Sequence, residues 1–437
     1  MHKVIAVTVA LALMLTARAQ AQDTQETVFW QRLGDSTLVR LTGQALAANH
    51  DIEAAAARLR QAQVARRQAG FDFAPTITVA GSYTQQHAAE AVFGSSVPEG
   101  GLWDAEARLE WEVDVFGRLR QRYKGLGRFA TSVQEDLRDV RLALASEVAG
   151  TYFELRGAQE QLAVARRNAE NQRSTLQLTR DLLEAGRGDD FDTERALAQL
   201  NSTLARVPVL EAGITASASR LAALLGVAPD SAMLGIRPDQ GFPDLPPDVP
   251  VNDAEALIRS RPDVRAAERR LSAEHAFVGS ARADYLPRLT VGGSAGFTAA
   301  SFNDIGSTGT GRYVIGPTVS WPALNLGRVK ASVDAARALE SEAQAHYDQT
   351  VLDARGELAA AQATYAGARN RVDRLAAAAA ASRRAAELAR LRFESGVEDF
   401  LQVLDAERSL LAAEDALARG HAEAAVALVQ LYRAIGG

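Results

Sequence analysis

Two hydrophobic patterns recur along this chain, one of them twice and the other four times. In the first, apolar residues step at heptad-like spacing. Leu137, Leu144, Val148, Tyr152, Leu155 and Leu162 are separated by 7, 4, 4, 3 and 7 positions. Tyr347, Val351, Leu358, Tyr365 and Val372 are separated by 4, 7, 7 and 7. A stripe this narrow predicts long helices packed in coiled-coil fashion. In the second pattern apolar and polar residues alternate. Ile77, Val79 and Tyr83 share a face, and Leu109, Trp111, Val113 and Val115 alternate with Arg108, Glu110, Glu112 and Asp114. Leu289, Val291, Ala295 and Phe297 form a third such face; Tyr313, Ile315, Val319 and Trp321 form a fourth. These segments predict four strands of about ten residues or more, apolar outward, polar inward, ending in or near aromatics.

Proline placement separates the two patterns. All 13 prolines lie outside the runs Glu99–Val207 and Ala323–Gly437. Such runs, rich in Ala, Leu, Glu and Arg, read as long helix, and one from Arg118 to Glu184 would be about 100 Å long. Seven prolines fall between Pro229 and Pro262, the expected connector.

The chain also resembles itself. Asp51–Leu59 matches Asp263–Leu271, and Phe73–Val79 matches Tyr285–Val291, both at a shift of 212. From Trp111-Glu112-Val113-Asp114-Val115-Phe116-Gly117-Arg118 onward the shift is 210, meeting Trp321–Arg328, then Gly396 from Gly186 and Ala406 from Ala196. The two extra residues of the first copy fall between Val79 and Trp111, as a surface loop allows. One residue inserted in a helix turns everything beyond it by about 100°. The locked register predicts helices matched in phase and length.

Composition adds a compartment. The chain has no cysteine, which removes disulfides, thiolate sites and a lipidated N-terminal cysteine. His2 and Lys3, the apolar run Val4–Leu15 and the A-x-A sites ending at Ala19 and Ala21 read as a secretory signal peptide over residues 1–21. Its removal takes two cations from 48, leaving 46 against 54 acids, a mature charge of −8. That balance gives no reason to expect nucleic acid. No later run is long and apolar enough for a transmembrane helix, which leaves membrane β-strands open. Four strands cannot close a pore, so membrane strands with open edges would need symmetric copies. A soluble periplasmic sandwich fused to coiled coil is the alternative on these patterns alone.

Chemical motifs are few. Gly292-Gly293-Ser294-Ala295-Gly296 fits G-x-S-x-G, but the strand alternation continues through Phe297, so Ser294 reads as part of a glycine-rich strand. The six histidines have no metal-ligand spacing, and no phosphate-binding fingerprint occurs. We expect no enzyme, cofactor or metal. Ala-Gly-Arg-Gly-Asp-Asp around Gly186 and Ser-Gly-Val-Glu-Asp around Gly396 read as tips of helical hairpins. Asp189, Asp190, Glu398 and Asp399 suit helix N-termini. Asp405 lies more than two turns into the next helix. On an oligomer axis it would form a ring of carboxylates facing a pore.

These residues together carry a resemblance. Arg261-Pro262-Asp263-Val264-Arg265-Ala266-Ala267-Glu268, then Ala283-Asp284-Tyr285-Leu286-Pro287, then Trp111–Arg118, then Arg392-Phe393 through Gly396 to Val403-Leu404-Asp405-Ala406-Glu407 resemble the TolC-like outer-membrane efflux factors, NodT-type branch. The likeness covers nearly the whole mature chain. It implies a homotrimer in the outer membrane: four strands per chain in a 12-stranded β-barrel, and long helices in a periplasmic α-barrel. It implies a passive duct docking by its helix tips on a periplasmic adaptor coupled to an inner-membrane pump. It further implies that Asp405 constricts the periplasmic end. Gln402 stands where many relatives have a second aspartate, and Asp192 matches a first-copy aspartate in inter-helix contacts. Arg392 and Phe393 match an Arg-aromatic pair supporting the gate. Gly186, Arg187, Gly188, Ser395, Gly396 and Val397 match adaptor-contacting tips. Glu398 replaces an arginine of some relatives. NodT-type relatives often carry a lipidated cysteine; without one, anchoring is expected from the barrel.

The expected organisation is a signal peptide at 1–21 and a first repeat at 22–228, with strands near 71–85 and 103–116 and a hairpin near 118–226. A connector at 229–261 precedes a second repeat at 262–437, with strands near 284–298 and 312–326 and a hairpin near 328–436. The expected cargo is drugs or other small toxic compounds; type I protein secretion and metal efflux stay open.

Overall fold

The computed structural model describes residues 29–30, 33–86, 100–229, 236, 242–247, 249 and 253–437. The expected signal peptide lies outside the described residues, as do most of the first strand-to-strand loop and parts of the connector. The described chain begins with helices α1 (Ser36–Ala48) and α2 (His50–Phe71), then strands β1 (Thr76–Gln86) and β2 (Gly100–Val113). Helices α3 (Arg118–Glu184), α4 (Asp190–Leu204) and α5 (Arg206–Leu224) follow, and α6 (Ala254–Ser260) lies within the expected connector. Then come α7 (Pro262–Ala283), β3 (Arg288–Ala299), β4 (Gly311–Ser320), α8 (Leu326–Glu394) and α9 (Phe400–Ala434).

The element ends differ from the sequence reading for local reasons. The strands expected from 71 and 284 start at Thr76 and Arg288, because α2 and α7 run on to Phe71 and Ala283. Pro75 and Pro287 stand just before the strands, where a missing N–H does no harm. Strand β2 stops at Val113 although alternation continues to Val115. The Asp114 carboxylate instead accepts from the backbone N–H groups of Leu119 and Arg120 at 3.0 and 2.9 Å, which starts α3. Strand β4 stops at Ser320, two residues before Pro322. The return arm of the first hairpin is broken at Ala205, so that Pro208 falls in the first turn of α5. The second return arm has no proline and runs unbroken as α9.

The chain divides into two compact units. One comprises residues 56–136 and 263–350. It holds one antiparallel sheet in the order β1-β2-β3-β4. The edges of the sheet are β1 and β4. Register puts Ile77, Leu109, Gly293 and Ile315 on one face. The apolar face is bare among the described residues: Val79 is 81% exposed, Tyr313 84% and Ile315 69%. Glu106, Arg108, Ser294 and Arg312 lie on the opposite, polar face. Helix packing in this unit is close, since a Cβ on Gly125 would meet the Phe277 ring at 2.5 Å.

The other unit comprises the described residues up to Ala55, 137–262 and 351–437. Helix α9 buries Val403, Leu404, Leu410, Leu411, Leu428 and Leu431 among its many core positions. Helix α8 buries far less here. Ala354, Leu358, Ala361, Tyr365, Val372, Ala379 and Ala386 are covered, a heptad seam, while Leu352, Leu388 and Leu391 stay exposed. Asp35 caps α1 and accepts the Tyr152 hydroxyl at 2.6 Å, tying α1 to α3. Burial, reinforced by Asp35, holds the Tyr152 phenol far above its ordinary pKa, so it remains a donor. Farther along, Phe242 of the connector packs on Phe153 and His421. No described helix is long and apolar enough to cross a membrane.

Candidate functional site

The two hairpin tips are built by one device. Just past the end of α3, Gly186 has φ +67°, and just past the end of α8, Gly396 has φ +74°. Gly186 N–H donates to the Leu183 carbonyl at 2.9 Å and Arg187 N–H to Leu182 at 2.8 Å. In the second tip Gly396 N–H donates to Phe393 and Val397 N–H to Arg392, both at 2.9 Å. These paired bonds are the Schellman arrangement, which satisfies the last carbonyls of a helix and needs a left-handed residue. Arg392 and Phe393 therefore support the tip through their backbone carbonyls. Sequence spacing signals the glycines but not this role.

Side chains make the tips unequal. A Cβ on Gly188 would lie 2.6 Å from the Leu183 nitrogen, so that turn closes only with glycine. The position 210 residues on is Glu398, whose carboxylate pairs with Arg392 at 3.1 Å. The Asp189 side chain accepts from Phe191 N–H at 3.0 Å. Asp399, its counterpart, makes no side-chain cap bond. Ser395 Oγ donates back to the Leu391 carbonyl at 2.8 Å. Val397 is 73% exposed and Arg187 is exposed.

Behind the tips, Phe400, Val403 and Leu404 pack with Ala169, Leu176, Ala196 and Leu200. Phe393 joins this cluster, with its ring 5.5 Å from that of Phe400. The cluster fixes which way α9 faces. Gln402 and Asp405 are left on its exposed side, next to Leu401. Asp192, at the position equivalent to Gln402, is half-buried. Burial raises its pKa, Asp189 adds to the rise, Arg195 opposes it and Asp399 from the second tip adds again. The structure thus brings Asp192 into the field of the second tip.

Sequence reasoning missed a polar seam one step deeper. Asn168, Gln172, Thr175 and Thr179 of α3 are all buried, at spacings of 4, 3 and 4. That run of polar residues at heptad spacing was the available signal. Thr175 Oγ1 donates to Glu407 Oε1 at 2.6 Å, and Asn168 Nδ2 to Glu414 Oε2 at 2.9 Å. Glu414 also pairs with Arg383 of α8. Gln172 is 2% exposed, and neither its amide oxygen nor its nitrogen has a partner. Asn168, Gln172, Arg383, Glu407 and Glu414 line a cleft of about 560 Å³. Burial raises the Glu407 pKa, against the Thr175 hydrogen bond and the Arg390 charge.

Ser294 sits in mid-strand, registered with Arg108 on one side and Val314 on the other. The sharp strand-to-helix turn of a nucleophile elbow is therefore missing there. No metal-ligating cluster occurs among the described residues.

Known proteins share this architecture. The family model described as outer membrane efflux protein matches residues 41–227 and 254–437. Outer membrane protein OprJ of Pseudomonas aeruginosa is 32% identical over 430 residues, covering 96% of this chain and 88% of that protein. Nodulation protein T of Rhizobium leguminosarum bv. trifolii is 27% identical over 419 residues, covering 95% and 88%. The solved structure of the outer-membrane channel OprN has a TM-score of 0.86 at 37% identity, covering 93% of this chain and 92% of that one.

Proposed function

The chain belongs to the outer membrane efflux protein family, and from that premise we propose how its parts act as a gated exit duct. It is an efflux channel of the outer membrane with a helical extension into the periplasm. Its working form is a homotrimer in which β4 of one copy pairs with β1 of the next. The observation that carries this is the sheet: two edges and an apolar face, all unpartnered among the described residues. Lipid has no donor or acceptor for an open strand edge, so closure by copies of the same sheet satisfies it. The half-covered helix α8 supports the same assembly, because its exposed leucines need neighbours.

We assign the gate to the α9 face that carries Asp405 and Gln402. Three copies around an axis make a ring of Asp405 carboxylates, with Gln402 a neutral ring beside it. Asp192, which lies in the field of Asp399 from the second tip, belongs to the same gate, and the Arg392–Glu398 pair steadies that tip. Gly186, Arg187, Gly188, Ser395, Gly396 and Val397 form the docking surface for a periplasmic adaptor, which links the duct to an inner-membrane pump. Their exposure and fixed turn geometry support this role. We also infer that residues 22–228 and 262–437 are tandem structural copies, with a signal peptide at 1–21 and a connector at 229–261. The matching tip turns support the two copies. The cargo is drugs or other small toxic compounds, in keeping with an efflux family, and its choice is left to the pump. No step in this reading needs catalysis.

Fractionation and planar-bilayer recording test the whole. The expected result is a heat-modifiable trimer in detergent extracts of the outer membrane that conducts in stepwise events. A soluble periplasmic monomer without conductance overturns it.

A further inference from the structure

The polar face of the sheet carries a charge arrangement that gating does not use. Register sets Arg312 of β4 opposite Gly296 of β3, and Gly296 opposite Glu106 of β2. Gly296 has no side chain in the way; a Cβ there would lie 2.2 Å from the Ala105 carbonyl oxygen. The Arg312 guanidinium crosses the glycine. Its Nη2 donates to Asp104 Oδ1 and Oδ2 at 2.8 and 2.7 Å and to Glu106 Oε2 at 2.8 Å. Its Nε donates to Thr298 Oγ1 at 2.9 Å, and that hydroxyl donates to Asp104 Oδ2 at 2.6 Å. Arg108 completes the group with a bond to Glu106 Oε1 at 2.6 Å. Two cations and two anions cancel. Nearer the helices, exposed Glu110 takes no cation among the described residues, while Glu112 pairs with Arg118.

We propose that Arg312 is the residue that sets the charge selectivity of the barrel lumen, by bridging Asp104 and Glu106 across Gly296 and cancelling their charge. This rests on the channel reading, in which the apolar face meets lipid and the polar face lines the lumen. The bridge lies at the strand ends next to the β1–β2 and β3–β4 loops, away from the helices, so it guards the outer exit. Removing one guanidinium per chain leaves one uncancelled negative charge per chain, three in the trimer. Those charges stand within about one Debye length, ~10 Å at 0.1 M salt, of the water a solute must cross. Rings of like charge select by sign at this range. With the bridge intact this end of the polar face carries no net charge by which to select.

The test is the reversal potential of the reconstituted full-length trimer under a potassium chloride gradient. It is measured in the chain as it stands and again alongside Asp405→Ala, so that the narrow end does not mask the wide one. Arg312→Gln should raise the potassium-to-chloride permeability ratio several-fold. Asp104→Asn should move it the other way, and the two together should return it to the starting value. Arg312→Lys, which keeps charge without the fork of bonds, should leave it unchanged. An intact conducting trimer whose ratio moves in neither single variant and neither background overturns the proposal. Failure of the unsubstituted chain to trimerise and conduct overturns the channel reading instead. Should Arg312→Gln not trimerise, Asp104→Asn carries the test alone.

Discussion

The indole N–H of Trp111 donates to the backbone carbonyl of Phe73 at 2.9 Å. Trp321, 210 residues on, donates in the same way to the Tyr285 carbonyl at 3.0 Å. Each bond ties the helix end of a strand to the turn that leads into its neighbour strand. A tryptophan suits that place, because its ring is apolar and its N–H needs a polar partner at the membrane boundary.

Trp111→Phe keeps the ring and removes the donor, so it should lower stability by about 1 kcal/mol, and Trp321→Phe likewise. The double variant should lose about twice as much if the sites act independently. The temperature at which the detergent-solubilised trimer dissociates reports this, and an unchanged temperature in the double variant would discount the bonds.

Asp405→Ala should raise single-channel conductance, because it removes the carboxylate from the exposed face of α9 that we propose rings the pore. Gln402→Asp adds a second acidic ring beside it and should strengthen cation preference in the same recordings. Equal conductance in Asp405→Ala and the unsubstituted channel would move the gate elsewhere.

Gly396→Ala forces a Cβ into a turn held at φ +74°, at a cost of about 1 kcal/mol or more. The expected phenotype is weaker adaptor cross-linking at the tip with conductance of the isolated barrel retained. Loss of conductance with cross-linking intact would contradict the docking role.

Glu407 makes stability depend on pH. Its folded-state pKa is raised by burial, so the folded chain holds the proton more tightly than the unfolded chain. That contribution is complete below the ordinary carboxylate value of 4.5 and is lost as pH rises through the raised one. Asp192 shifts in the same direction. Glu407→Gln should therefore flatten the thermal-stability profile above pH 4.5, with its largest gain at the upper end. Parallel profiles for the two proteins would assign the pH dependence to other groups.

Some of the site was readable in advance and some was not. Gly186 and Gly396 announce a left-handed helix end, because glycine after a long apolar-periodic run has few other uses. Asp405 stood out by its distance from Gly396, but the helix starts only at Phe400, so the residue lies about a turn and a half inside it rather than more than two turns. The backbone role of Arg392 and Phe393 was hidden, since a carbonyl bond leaves no trace in side-chain identity. The break at Ala205 was missed, although Pro208 marks it, because proline in a first turn is compatible with helix.

The sequence by itself determined periodicities and stops: alternation made the strands, heptads made the long helices, proline and glycine ended them. These are local properties, set by backbone sterics and by which face must leave water. Only the tertiary structure decided which polar groups meet. Arg312 reaches Asp104 across 208 positions, and Thr175 reaches Glu407 across 232. Strand register and helix phase bring those partners together, and a periodic pattern carries a face but not the identity of what lies opposite. The unpartnered edges β1 and β4 belong to the same limit, because their completion lies in other copies of the chain.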